Sequence, residues 1–156
     1  MKNELISRAG LVKLKAESEA IDAEIQKTLN EMGESAKRDN DLRENPEFME
    51  LRVKAMHTLP AQREKIYWKI KEAVIIEDTS EYQKFDGTTV IVGAVVTFTM
   101  EGAEKKFTIL GSTEGDLKNC VLACDAPLAQ AMIGKHVGDT FIFNSRTIVI
   151  KKIEKI

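Results

Sequence analysis

From Leu11 to about Arg38 the chain has no proline, and its apolar positions Leu14, Ile21, Ile25, Leu29, Met32 and Ala36 recur three, four or seven residues apart. That spacing places them along one stripe of an α-helix. Between them lie Lys13, Lys15, Glu17, Glu19, Asp22, Glu24 and Lys27, the mixed charges of a solvated face. A second stripe, Phe48, Leu51, Ala55, Leu59, Ile66, Ile70 and Ala73, repeats the pattern until the sequence turns polar around Asp78 to Gly87. Two long helices joined by a short connection are antiparallel neighbours. At about 1.5 Å per residue, a helix of about 28 residues makes a hairpin roughly 40 Å long. Gly33, Ser35 and Pro60 interrupt the stripes. Pro60 lacks an N–H and crowds the preceding turn, which predicts a kink near Thr58 to Pro60.

After Gly87 the texture changes to short β-branched runs: Thr89 to Met100, Lys105 to Leu110, Asn119 to Ala123, Thr140 to Asn144 and Thr147 to Ile153. Glu101 and Gly102 mark a hairpin turn, Pro127 opens a short helix through Leu128, Ala131, Met132 and Ile133, and Gly134 ends it. The expected core is Val92, Val96, Phe98, Phe107, Ile109, Leu128, Ile133, Phe141, Phe143, Ile148 and Ile150. The fold class read from these patterns is α+β: an antiparallel two-helix coiled coil over residues 1–77 with its tip at about 39–46, a linker over 78–87, and a small antiparallel sheet domain with one short helix over 88–156.

With 156 residues, 43% of them hydrophobic, the chain can build a packed core. Its longest apolar runs fall far short of the roughly 20 residues that span a bilayer, and its N-terminus lacks a signal-peptide pattern, so a cytoplasmic protein without membrane contact is expected. A formal net charge of −2 excludes bulk electrostatic binding of nucleic acid, so any such contact has to be local. Cys120 and Cys124 have no histidine close by in sequence and read as two small, partly buried residues rather than a disulfide or zinc site.

The connection between the helices runs from Asp39 through Asn40, Asp41, Leu42, Arg43, Glu44, Asn45, Pro46 and Glu47 to Phe48. Asn45, Pro46 and Glu47 make a good helix start: a capping amide, a proline at the first position and an acid opposing the macrodipole. Helix energetics account for Glu47 and extend to Glu44, and Asp39 or Asn40 can serve the turn. Asp41 and Glu44 together concentrate negative charge at the end of the hairpin, where no core uses it. Two carboxylates on one loop are oxygen ligands for Mg²⁺, an ion that takes about six ligands, so the tip alone binds it weakly and needs ligands from a partner.

Asp41, Leu42, Arg43, Glu44, Asn45, Pro46, Glu47 and Phe48 resemble the Gly-Asp-Leu-x-Glu-Asn-Ala-Glu-Tyr tip signature of the bacterial Gre transcript cleavage factors. Gly10, Leu11, Lys13 and Leu14 match that family's opening helix, and Arg63, Ile66, Lys71 and Ala73 match the end of its second. Ile109, Leu110, Gly111, Glu114 and Asp116, then Pro127, Leu128, Ala131, Ile133, Gly134, Val137, Gly138 and Asp139, resemble two segments of its second domain. The ordered succession of motifs is more specific than any one of them.

The resemblance implies an FKBP-like C-terminal domain that docks on bacterial RNA polymerase at the mouth of its secondary channel, and a coiled coil that reaches the active site. It implies that Asp41 and Glu44 act in trans there, helping to hold the second Mg²⁺ and to position the water that cuts a backtracked transcript near the nascent RNA 3′ end. Mg²⁺ is then shared with polymerase, and the chain, a monomer, is not itself an enzyme. Asn45 and Phe48 become orienting neighbours of the acids. Lys37, Arg38, Arg43 and Arg52, with Lys54, either steer the tip along RNA or form a solvated face balanced by Asp39, Glu47 and Glu50. Polymerase docking falls to Glu114, Asp116, Pro127 and Leu128. Fold resemblance alone implies no prolyl isomerase activity.

Asn40 stands where the family has glycine, Pro46 replaces alanine, Phe48 replaces tyrosine, and the strand pair near Asn144 to Thr147 is shortened. These departures keep a second reading open, a Gre-like regulator or inhibitor that occupies the channel without promoting cleavage. Retention of Asp41 and Glu44 favours cleavage. A structural coiled coil unrelated to transcription is the third class, and the match in both halves disfavours it.

Overall fold

The computed structural model describes residues 4–156. The chain divides into two compact units: Val12–Glu72, and a second that joins the described residues up to Leu11 to Ala73–Ile156.

The first unit is a helical hairpin. Helix α1 (Arg8–Arg38) has 31 residues, about 46 Å at the usual rise. Helix α2 (Pro46–Val53), a π turn (Lys54–Thr58) and helix α3 (Leu59–Glu72) return alongside it. Ion pairs bridge Asp22 to Arg63 at 2.7 Å, Glu24 to Lys54 at 2.6 Å and Glu47 to Arg38 at 2.8 Å, so positions rise on one helix as they fall on the other. The helices are antiparallel. Each pair is half in water, where screening leaves it little net energy, so the pairs set register, while burial of Ala55, Leu59 and Ile66 contributes more to stability.

Two polar residues also occupy the seam. Thr28 and Ser35 are fully buried and continue the seven-residue spacing from Ile21. Thr28 satisfies its hydroxyl by donating to the Glu24 carbonyl at 2.8 Å. Ser35 therefore does not interrupt the stripe as its polarity suggested, because a buried hydroxyl is tolerated where it is hydrogen-bonded.

At the expected kink the helix widens into the π turn. The Leu59 N–H donates five residues back, to the Lys54 carbonyl. In an α-helix the ring of Pro60 would press on the carbonyl four residues earlier, and the wider turn relieves that crowding while the helix continues to Glu72.

The second unit begins with a strand that the sequence reading missed. Strand β1 (Glu4–Ile6) pairs in parallel with β2 (Ala73–Ile75), in the register Glu4 to Ala73, Leu5 to Val74 and Ile6 to Ile75. Ala73 thus lies in a strand rather than ending the second helix, and residues 4–11 belong with the C-terminal unit rather than with a hairpin over 1–77. The segment 78–87 is not a bare linker either. A 3₁₀ turn (Ile76–Asp78) leads into α4 (Ser80–Gln83), which Thr79 caps by accepting the Tyr82 N–H. Ile76 and Tyr82 anchor this segment in the core, and the Tyr82 hydroxyl donates to the Ile156 carbonyl at 2.9 Å.

A five-stranded sheet of β3 (Ala94–Met100), β4 (Ala103–Leu110), β5 (Val121–Ala123), β6 (Thr140–Phe143) and β7 (Arg146–Lys155) has the order β5-β4-β3-β7-β6. Its pairs are antiparallel except β4 with β5, so the expected all-antiparallel sheet is corrected to a mixed one. The residues between β4 and β5 include a 3₁₀ turn (Leu117–Asn119), and that crossover returns the chain in the same direction. Strand β3 begins at Ala94 rather than Thr89, because Val90 spends its N–H on the Lys135 carbonyl.

The hairpin at Glu101 and Gly102 is as expected: both residues have positive φ, 53° and 81°, which matches the twist of the flanking strands. Asn144 (φ 48°) and Ser145 (φ 64°) do the same between β6 and β7, which explains the shortened strand pair there. On β3 Ala94, Val96, Phe98 and Met100 are buried and alternate with half-buried neighbours. Phe98 stacks on Phe107 at 5.9 Å, and helix α5 (Pro127–Met132) sends Ala129 and Met132 into the same core. Cys124 is half-buried, and burial raises its thiol pKa, whereas Cys120 is exposed rather than partly buried as expected. Among the described residues no helix is long and apolar enough to cross a membrane.

Candidate functional site

Between α1 and α2 the chain reverses over residues 39–45. Helix α1 ends with Lys37 and Arg38 in its last turn, cations that oppose the negative end of the helix dipole. Asp39 accepts the Asp41 N–H on its side chain at 3.1 Å, and Asp41 in turn accepts the Arg43 N–H on Oδ1 at 3.2 Å. The Glu44 N–H closes on the Asp41 carbonyl at 3.1 Å. Asn40 is not among the residues with positive φ, so this turn does not need the glycine usual at its position.

Asn45 caps α2 as its sequence position predicts. Its Oδ1 accepts the Phe48 N–H at 3.0 Å, and Pro46 takes the first helical position. The amide does more than cap, for its Nδ2 donates to the Ser35 carbonyl at 3.3 Å and to Ser35 Oγ at 3.1 Å. Ser35 Oγ donates to Glu47 Oε2 at 2.8 Å, and the Arg38 guanidinium grips both Glu47 oxygens at 3.0 and 2.8 Å. Ser35 is fully buried and Asn45 only 6% exposed. The hydrogen bond from Ser35, then that from Arg38, hold the Glu47 carboxyl below its ordinary pKa of 4.5.

A carboxyl lowered by folding contributes stability above its ordinary pKa and loses it as pH falls through the lowered value. The melting-temperature advantage of the wild type over Glu47→Gln is therefore expected to be present at pH 7 and to vanish on titration well below pH 4.5. An advantage independent of pH over that range would contradict this assignment.

The acids of the tip thus separate. Glu47 is engaged by Ser35 and Arg38, and Asp39 serves the turn. Asp41 and Glu44 are exposed; Asp41 has one oxygen in a local turn bond, and Glu44 makes no side-chain hydrogen bond or ion pair among the described residues. Leu42, 38% exposed, and Phe48, half-buried, flank them. Of the basic candidates, Arg38 is committed to Glu47, Lys37 pairs with Glu34 at 2.8 Å and Lys54 with Glu24, while Arg43 and Arg52 are exposed without an ion pair among the described residues. Among those residues no group of three or more His, Cys, Asp or Glu side chains converges as a metal site.

The docking candidates fare unevenly. Glu114 accepts the N–H of Ser7 at 2.8 Å and of Gly111 at 3.3 Å, together with the Ser7 hydroxyl. It does for α1 what a capping-box carboxylate does, although it comes from a distant part of the sequence. Its side chain is spent inside the fold rather than offered for docking. Asp116 accepts the Lys118 N–H at 3.1 Å and the Asn119 amide at 2.6 Å. Leu128 is half-buried against the core, and Pro127 is exposed at the start of α5. Sequence reasoning missed Ser35, whose signal was its seven-residue spacing from Ile21 and Thr28.

Residues 86–156 match the family model described as "Transcription elongation factor, GreA/GreB, C-term". Transcription elongation factor GreA of Maridesulfovibrio salexigens is 30% identical over 142 residues, covering 90% of this chain and 85% of its own. That of Anaeromyxobacter sp. (strain K) is 32% identical over 143 residues, covering 90% and 82%. The crystal structure of GreA factor homolog 1 from Thermus thermophilus aligns over 98% of this chain and 99% of its own at 17% identity, with a TM-score of 0.43. With a match to its second half and 30% identity to a relative along most of both lengths, this chain belongs to the GreA/GreB family of transcription elongation factors.

Proposed function

We propose that this protein stimulates cleavage of backtracked transcripts by bacterial RNA polymerase. In this reading the C-terminal unit is an FKBP-like domain that docks at the secondary channel, with Pro127 and the surface around it as the contact. The helical hairpin, packed as a coiled coil, carries Asp41 and Glu44 to the catalytic centre, where the nascent RNA 3′ end lies. The observation that carries the reading is the division among the tip acids: Asp39 and Glu47 hold the turn together, while Asp41 and Glu44 are exposed and have almost no internal partners.

This donor set fits Mg²⁺, because both side chains offer hard oxygen ligands free of ion pairs. Two carboxylates fall well short of about six ligands, so polymerase has to supply the rest. When bound, the ion would activate water and stabilise the leaving oxygen of a phosphodiester cleavage. Asp41 and Glu44 hold and orient, Arg43 and Arg52 face the RNA phosphates, and Phe48 buttresses the turn. The chain then acts as a cofactor of another enzyme's activity.

The test is to add the protein to a backtracked elongation complex with Mg²⁺. Short 3′ RNA fragments are expected, released faster than by polymerase alone. Binding to polymerase without any such fragments would sink the proposal in favour of a regulator that only occupies the channel.

A further inference from the structure

The polar network beneath the tip joins Ser35 on the last turns of α1 to Asn45 and Glu47 on the first turn of α2, with Arg38 closing over Glu47. Capping α2 requires only Asn45 Oδ1. The rest is surplus to helix formation, and polar groups in a seam cost desolvation that an alanine would not. What such a network provides is one fixed geometry.

The hydrogen bonds fit a single proton arrangement. The Ser35 proton goes to Glu47 Oε2 at 2.8 Å, not to Asn45 Oδ1 at 3.5 Å, which stays with the Phe48 N–H. The lone pairs of Ser35 Oγ then receive Asn45 Nδ2. Inside residues 39–44 the turn has only short-range bonds, such as Arg43 N–H to Asp41 and Glu44 N–H to the Asp41 carbonyl. Its two ends are therefore held from below.

We infer that Ser35, acting through Asn45 and Glu47, is a positioning residue that fixes both ends of the turn and thereby the placement of Asp41 and Glu44. The inference rests on the cleavage reading proposed above and adds a residue that the tip motif does not contain. An error of about 1 Å in placing a reacting group costs about 10²-fold in rate, so a partial loosening is expected to cost about tenfold.

The test compares Ser35→Thr with Ser35→Val in the full chain. These side chains have nearly the same shape and crowd the seam equally, and they differ in the hydroxyl. Ser35→Val is expected to lower the maximal rate of stimulated cleavage about tenfold relative to Ser35→Thr, with the half-saturating concentration of the protein unchanged. Equal rates, or a loss confined to the half-saturating concentration, would overturn the inference.

A second readout does not depend on activity. Backbone ¹⁵N relaxation of residues 39–44 is expected to show greater mobility in Ser35→Val than in Ser35→Thr, and equal mobility overturns the inference whatever the cleavage rates. If the valine variant does not fold, Asn45→Asp keeps the capping oxygen, removes the donor to Ser35, and takes its place against the wild type. A wild-type chain that stimulates no cleavage overturns only the functional reading, because the relaxation comparison still decides the role of Ser35.

Discussion

Asp41→Asn, and separately Glu44→Gln, is expected to reduce stimulated transcript cleavage by about 10²-fold or more, the scale of losing one preorganised charged group at a reacting centre. Both substitutions keep shape and remove charge. The asparagine carbonyl still accepts the Arg43 N–H that Asp41 accepts at 3.2 Å, so the turn persists. Glu44 has no side-chain partner among the described residues to lose. Thermal stability should accordingly change by no more than about 0.5 kcal/mol, the usual range for surface substitutions, and binding to polymerase should persist. The measurement is the rate of 3′ fragment release at saturating protein, alongside a binding titration. An unchanged cleavage rate in either variant would remove that residue from the proposed pair.

Gly111→Ala is expected to be the most damaging conservative substitution in the C-terminal unit, at about 3 kcal/mol or more, the upper range for overpacking. A Cβ at Gly111 would sit 1.8 Å from the carbonyl oxygen of Leu5 and 2.8 Å from its carbon. These are backbone atoms of β1, pinned by pairing with β2 and, two residues on, by the bonds from Ser7 to Glu114. They cannot move aside without breaking that pairing. In a chain of this size the loss corresponds to a melting temperature lower by about 6 to 12 °C. Gly33→Ala is the contrast. Nothing lies within 4 Å of a Cβ added there, and an alanine in an exposed helix gains about 0.5 to 1 kcal/mol over glycine. A Gly111→Ala chain that melts with the wild type would show that β1 does not lie against Gly111 in solution.

The tip was legible because its signals are local. Asn45, Pro46 and Glu47 announce a helix start from adjacent positions, and Asn45 caps Phe48 as expected. The hairpin at Glu101 and Gly102 follows from the same near-neighbour chemistry. Strands β1 and β2 were not legible. Three residues each carry no periodicity to detect, and they pair across about the whole helical hairpin in sequence. Glu114 could not be separated from a surface acid by any local rule, since the partner that engages both its oxygens is Ser7, 107 residues earlier. For Arg38 the sequence left two readings open, a cation for RNA or one balanced by nearby acids, and its ion pair with Glu47 favours the second. The parallel pairing of β4 with β5 likewise depends on where the chain returns after Leu117–Asn119.

By itself, then, the sequence determined the two long helices, the turn between them, the exposure of Asp41 and Glu44, most of the sheet strands, and a family resemblance that the matched relatives bear out. Periodicity, capping and turn preference act between residues a few positions apart, and so they are written in order along the chain. Only the tertiary structure decided which polar groups are spent on the fold. Ser35 became the buried anchor of the turn, Glu47 and Arg38 a closed pair, and Glu114 the acceptor that holds Ser7, the cap of α1. Whether a carboxylate is free or bound depends on which donors come within about 3 Å of it, and that distance is set by packing between segments that the sequence holds far apart.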